Sequence, residues 1–171
     1  MSLRERPDAF VVRAVQPAEH GAVAELTVRV YGDVLGAILT DDYRAILSDV
    51  AHRAEQAEVL VAVAHSGALL GSVTYVPGPE SEYAEFRSAD EAGIRMLVVA
   101  PEAQRAGVGT RLVNACLDRA RAGGRARVSL HTTASMMGAH RLYEGLGFVR
   151  APERDWVPEP GVHLIAYLLV F

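Results

Sequence analysis

Residues 94–110 read IRMLVVAPEAQRAGVGT. Ile94 to Val99 is an apolar run of strand length, Ala100-Pro101 is a turn, and Gln104-Arg105-Ala106-Gly107-Val108-Gly109 is a glycine-bearing loop. Leu112, Val113, Cys116, Leu117 and Ala120 then recur at helical spacing. A strand that feeds a glycine loop opening a helix makes a site for an anion. The first helical N–H groups lack intrahelical partners, the helix dipole favours negative charge there, and glycine lets a ligand approach the backbone. The stretch predicts a phosphate-bearing ligand held by main-chain groups.

Outward from it, the pattern alternates between strands and helices. Upstream, residues 10–14 form a strand, 17–31 a helix with Pro17 in its first turn, and 41–55 a second helix capped by Asp41-Asp42. Glu58 to Ala64 and Ala68 to Val76 flank a Ser66-Gly67 turn as a hairpin. Residues 77–90 (PGPESEYAEFRSAD) form a long irregular loop, the kind that usually has work beyond connection. Downstream, Gly123-Gly124 ends the glycine-loop helix, 126–132 is a strand, 135–146 a helix, 148–150 a strand and 163–171 an apolar closing strand. This order makes one α/β domain over residues 1–171, a mixed sheet with helices on it.

Composition narrows the partners. Half of the 171 residues are hydrophobic and 22% are charged, a globular balance. A net charge of −4 argues against nucleic acid, which needs a basic face, and no apolar run reaches membrane-spanning length. The opening MSLRERPDAF lacks the apolar core of a signal peptide, and a single cysteine suits a reducing compartment, so a cytoplasmic location is expected. The histidines have no metal-ligand spacing, and no metal is expected.

Three readings compete for the glycine loop. A nucleoside triphosphate P-loop needs a lysine before its serine or threonine, and Gly109-Thr110 has none. A dinucleotide site needs a G-x-G-x-x-G turn tight against the strand. Here Gly107-x-Gly109 lies well beyond Val99, and Leu112 stands at the third position. The third reading is a resemblance. Gln104-x-x-Gly107-x-Gly109, preceded by Met96-Leu97-Val98-Val99-x-Pro101, resembles the acyl-CoA pyrophosphate loop of the GNAT superfamily of N-acetyltransferases. Ala139-x-x-Leu142-Tyr143-Glu144-x-x-Gly147-Phe148 is similar to that family's late helix and turn. The resemblance covers residues 94–150.

It implies the single-domain acyl-CoA N-acyltransferase fold, with a mostly antiparallel sheet flanked by helices, and acetyl-CoA as cosubstrate. The main chain of Leu97, Val98 and Val99 would hold the pantetheine arm. The amides of Gln104, Arg105, Ala106, Gly107, Val108, Gly109 and Thr110 would cradle the pyrophosphate. Arg105 and Arg111 are candidates for the cofactor's other phosphate, or else ordinary surface arginines. Tyr143 would be the general acid that protonates the departing thiolate; the alternative is a core aromatic in the helix stripe.

This chain departs from the family's pattern at two places. Met136 stands where an asparagine commonly bonds the pantetheine arm, leaving that contact to Ser135. Gly93 stands where many members carry a glutamate base. A neutral amine must attack the thioester directly in a ternary complex, so a base or water chain is needed. Glu91, His131 and Glu85 are the candidates, His131 being equally readable as a hydrogen-bonded structural side chain. Cys116 lies in the buried helix stripe, so no acyl-enzyme is expected.

The acceptor would be the primary amine of a small molecule, or a peptide or protein N-terminus or lysine. Regions that would surround it carry Tyr31, Asp33, Asp41, Tyr83, Glu85, Phe86, Asp155 and Trp156. Acids beside aromatics suit a cationic amine, unless they form only a solvated acidic surface. The closing strand could pair across a homodimer. A non-catalytic acyl-CoA-binding or regulatory domain is the alternative function, motivated by Gly93 and Met136.

Overall fold

The computed structural model describes residues 9–171. In chain order the described elements are β1 (Phe10–Ala14), α1 (His20–Leu35), α2 (Asp41–Ser48), α3 (Val50–Gln56), β2 (Glu58–Ala64), β3 (Leu69–Val76), β4 (Glu91–Val99), α4 (Val108–Ala122), β5 (Arg127–Thr133), α5 (Met137–Gly145), β6 (Val149–Arg150), β7 (Trp156–Glu159) and β8 (Val162–Val170). The strands form one sheet in the order β1-β2-β3-β4-β5-β8-β6, with β7 also paired to β8. Every pairing is antiparallel except β4 with β5. The expected mixed, mostly antiparallel α/β architecture is what the chain adopts.

Alternation along β2 explains why helices cover both faces. Leu60 and Ala62 enter a cluster with Leu112, Val113 and Cys116 of α4. Val59, Val61 and Val63 enter another with Val23 of α1 and Val50 of α3. Cys116 is wholly buried there, and burial pushes its thiol up, as suits a core side chain rather than a nucleophile.

The expected 41–55 helix is in fact two. Asp49 ends α2 and caps α3, its carboxylate accepting from the His52 amide at 3.2 Å. The cap of α2 is Thr40, which accepts from the Tyr43 amide at 3.2 Å, while Asp41 and Asp42 sit in the first turn. Strand β7 was hidden from a reading of the sequence because Pro158 interrupts it and its residues are all exposed.

The parallel pair at the sheet's centre positions the site. β4 and β5 are in register only from Glu91↔Arg127 to Ile94↔Leu130, yet β4 continues to Val99 and β5 to Thr133. Beyond Ile94 the two strands part. In the same stretch β4 bulges: Thr74 pairs with Arg95 and Ser72 with Val98, so Met96 and Leu97 face Val73 alone. Met96 takes φ 53°, and this turn of the chain brings Arg95 and Met96 onto one cavity wall.

Candidate active site

Of the two splayed strands, β4 leads into the glycine loop. Arg105 and Gly107 both have left-handed backbones, φ 65° and 79°, and α4 starts directly behind them. No side chain caps this helix and no acid stands in its first turn, so its leading amides have no protein acceptor there. Gln104, Arg105, Gly107 and Thr110 are exposed, whereas Val108 and Gly109 are buried. A Cβ on Gly107 would meet open space, but one on Gly109 would lie 2.7 Å from Leu142 Cδ1 of α5. Gly107 serves the turn, and Gly109 serves the packing of two helices. Arg111 is already engaged: it donates to the Phe10 carbonyl at 2.9 Å and stacks 4.2 Å over the Phe10 ring. That tether removes it as a free phosphate ligand and leaves Arg105.

On the other side of the split lies a cavity of about 250 Å³. Tyr31, Tyr43, Met96, Met136, Trp156 and Leu164 supply much of its apolar lining, and Glu85, Arg95 and His131 its polar centre. Of the expected site residues, Tyr31, Glu85, His131 and Trp156 meet here, while Glu91, Tyr143 and Ser135 do not line it.

Gly93 explains how Glu85 arrives. A Cβ at Gly93 would stand 2.7 Å from Phe86 Cε1, so the ring of Phe86 occupies the space a side chain would take. With Phe86 seated, its neighbour Glu85 reaches both His131 Nδ1 (2.6 Å) and Arg95 Nη2 (3.2 Å). Burial pushes the Glu85 carboxyl up, but the hydrogen bond from His131 and the charges of Arg95 and His131 outweigh it and hold the group below its ordinary range.

His131 is held from both sides. Its Nε2 faces the Arg154 carbonyl at 3.0 Å and its Nδ1 faces Glu85. A carbonyl only accepts, and so does an ionised carboxylate, so both ring nitrogens carry hydrogen. Burial disfavours that cation, yet the bonds to Glu85 and Arg154 prevail and raise its pKa. An imidazolium with both hydrogens committed has no lone pair to take a proton. This geometry favours the structural reading of His131 over the general base.

Glu91 is sequestered as well. It is 1% exposed, and its two oxygens lie 2.5 and 3.1 Å from the Arg154 guanidinium. The pair fixes the segment whose carbonyl holds His131. Asp155 is likewise structural: it accepts two bonds from Arg150, at 2.9 and 2.8 Å, and one from the Ala166 amide at 2.8 Å. Those bonds drive its carboxyl down to about 2, the Arg150 contact first. Together they set the neighbouring Trp156 against the cavity.

Tyr143 belongs to the core, 5% exposed, with Phe148 and Tyr167 rings 5.8 and 6.0 Å away. Burial pushes its phenol far up, so it keeps its proton. Its charge, if formed, would be felt by Tyr31 in the cavity wall. Ser135 shares a 3.0 Å hydrogen bond with Thr133, and the Met136 sulfur accepts from Thr132 at 3.5 Å.

Sequence reasoning passed over Arg95, Arg154 and Arg53. The signal for Arg95 was present: one charge inside an otherwise apolar central strand. Arg53 is 1% exposed and donates to the Ile46 and Leu47 carbonyls at 3.3 and 3.1 Å, capping α2 from inside. No group of three or more His, Cys, Asp or Glu side chains among the described residues is placed to hold a metal.

A model of the acetyltransferase (GNAT) family matches residues 17–148. The chain belongs to that family. GNAT proteins draw their acetyl group from acetyl-CoA. A search of the curated proteins found no match. Among solved structures, a GNAT acetyltransferase from Staphylococcus aureus Mu50 superposes with TM-score 0.78 at 12% identity, over 95% of this chain and 99% of that one. A putative acetyltransferase from Salmonella typhimurium, solved with its cofactor acetyl-CoA, gives 0.68 at 20%, over 95% and 94%. The ribosomal-protein-alanine N-acetyltransferase of Brucella melitensis gives 0.69 at 16%, over 94% and 99%. At these identities the likeness is one of fold. No helix among the described residues is long and apolar enough to cross a membrane.

Proposed function

We propose that this GNAT protein transfers acetyl from acetyl-CoA to a primary amine of a small molecule or peptide, by direct attack in a ternary complex. The observation that carries the reading is the meeting of two features: strands that part beyond Ile94 beside an uncapped glycine loop, and a largely apolar cavity abutting the parted ends. The residues fit the cosubstrate. Left-handed Arg105 and Gly107 turn the loop's amides outward, and the open space at Gly107 admits a phosphate.

In this reading Leu97, Val98 and Val99 offer main-chain groups on the β4 edge that β5 has left. Gln104 through Thr110 hold the pyrophosphate through amides, and exposed Arg105 adds charge. Bound acetyl-CoA supplies an activated acyl group and a thiolate leaving group. Tyr143, kept protonated by burial, is the acid that donates to that leaving group. Tyr31, Tyr43 and Trp156 enclose the acceptor's body. Arg95 and Glu91 act on the site's shape, one by fixing Glu85 and the other by fixing Arg154.

The test is incubation with acetyl-CoA and an amine panel while free thiol is followed. Thiol release that depends on the amine is the expected result. Acetyl-CoA binding without turnover across a broad panel would leave a non-catalytic binding domain instead.

A further inference from the structure

We infer that the acceptor is a weakly basic amine on an apolar or aromatic body, of the α-amino or arylamine kind, that reacts from its already neutral form, and that lysine-type alkylammonium ions are poor acceptors. The inference rests on the acetyl-transfer reading above and deepens it.

The charged groups facing the cavity carry the argument. From α1 and α2 come the phenols of Tyr31 and Tyr43, both pushed up by burial and so unable to take a proton near neutrality. The 77–90 loop gives Glu85, whose two oxygens are committed to Arg95 and His131. β4 gives Arg95, and β5 gives His131 with both ring hydrogens engaged. β7 gives Glu159, which is exposed. Behind the wall, buried Arg53 has no carboxylate among its partners, and its charge is felt at both Tyr31 and Tyr43.

Arg95 and His131 therefore stand against Glu85, which they hold between them, and exposed Glu159, so no carboxylate at the cavity centre is left unpaired, and a third cation stands behind. An ammonium ion there meets like charge and loses water to apolar walls, and both effects favour its neutral form. The cavity thus selects for amines that lose their proton easily. At about pH 7.5, about one-third of an α-amine is neutral, against about 0.1% of an alkylamine of lysine type. The reverse expectation, a cationic amine drawn by Glu85 and its neighbouring acids, fails because Glu85, Glu91 and Asp155 are each neutralised by an arginine or histidine.

The balance of the step is simple. The neutral nitrogen forms the new N–C bond, the C–S bond breaks, and the thiolate takes its proton from Tyr143. The proton left on the amide-forming nitrogen passes to solvent and Tyr143 takes one back from solvent, so no net proton is released.

The test is kcat/KM against pH, at saturating acetyl-CoA, with phenylalaninamide, aniline and phenethylamine. The expected result is a profile for each acceptor that rises with unit slope and levels at that acceptor's own pKa. At about pH 7.5 phenylalaninamide should exceed phenethylamine by about two orders of magnitude, as the neutral fractions dictate. Once neutral, the more basic amine is the better nucleophile, so the position of the inflection is the deciding readout. One inflection common to all three acceptors would reveal an enzyme base and overturn the inference. So would an inflection that moves in Glu159→Gln, which would assign that base to Glu159. Failure of every amine to release thiol, with acetyl-CoA still bound, would overturn the acetyl-transfer reading and this inference with it. Turnover confined to phenethylamine would overturn the inference alone.

Discussion

The two halves of the proposed site are made of different material. The donor half, from Leu97 to Thr110, is built from backbone: a strand edge without its neighbour, two left-handed residues and an uncapped helix start. The acceptor half is built from side chains on distant elements, held by ion pairs that span β4, β5, a loop and the turn before β7. Backbone geometry is written in short motifs of glycine and proline. Side-chain networks depend on which distant segments meet, and no local pattern records that. The halves should therefore fail in different ways when residues are changed.

The largest effect belongs to Tyr143, the proposed general acid. Tyr143→Phe keeps the ring among Phe148 and Tyr167 but removes the hydroxyl that the proposed acid role requires. Turnover should fall by about 10²–10⁴-fold while acetyl-CoA affinity stays near its original value. Thiol release and calorimetric binding measure the two quantities. Undiminished turnover would reduce Tyr143 to the core aromatic its burial already makes it.

Next come the two glycines of the donor half, which the structure separates. Gly107→Val puts a branched side chain at φ 79°, costing about 1–3 kcal/mol of strain in the geometry that presents the amides. Acetyl-CoA binding should weaken by about 5- to 150-fold for that cost. Gly109→Leu instead drives a side chain into Leu142 of α5, 2.7 Å from where its Cβ would stand. It should lower stability by about 1–3 kcal/mol, read as a drop in Tm. If Gly109→Leu left Tm unchanged, the close helix contact would be refuted.

The sequence disclosed these halves unequally, for a physical reason. The apolar period of 94–120 and its glycines marked strand, loop and helix because each signal is local. Gly93 misled: it looked like a lost base, whereas the Phe86 ring needs the space and so delivers Glu85. Glu91 looked free because its partner, Arg154, lies 63 residues on, and Asp155 because nothing in the sequence says that the turn at Pro152–Arg154 folds it back onto Arg150. Asp49 stood in an amphipathic run without glycine or proline, so the break between α2 and α3 left no mark. A carboxylate's charge is visible in a sequence, but its neutralisation is a tertiary fact.

The smallest effects are in stability against pH, and they act on the acceptor half from both directions. The Arg150 guanidinium, with the Ala166 amide, draws the Asp155 carboxyl down to about 2 in the folded chain, below its ordinary 3.8. A lowered folded pKa gives stability that is present above about pH 4 and lost as pH falls through about 2. His131 is the opposite case. Its folded pKa is raised above 6.5, so its contribution is complete below that value and is lost as pH rises through the folded one. Tm measured across pH should thus show Asp155→Asn less stable than the parent near neutrality, the gap closing as pH falls toward 2. His131→Asn should differ most from the parent near pH 6 and least in the alkaline range. A gap that held constant with pH in either variant would mean that the side chain acts by shape and not by charge, and the ion-pair account of the acceptor half would lose that member.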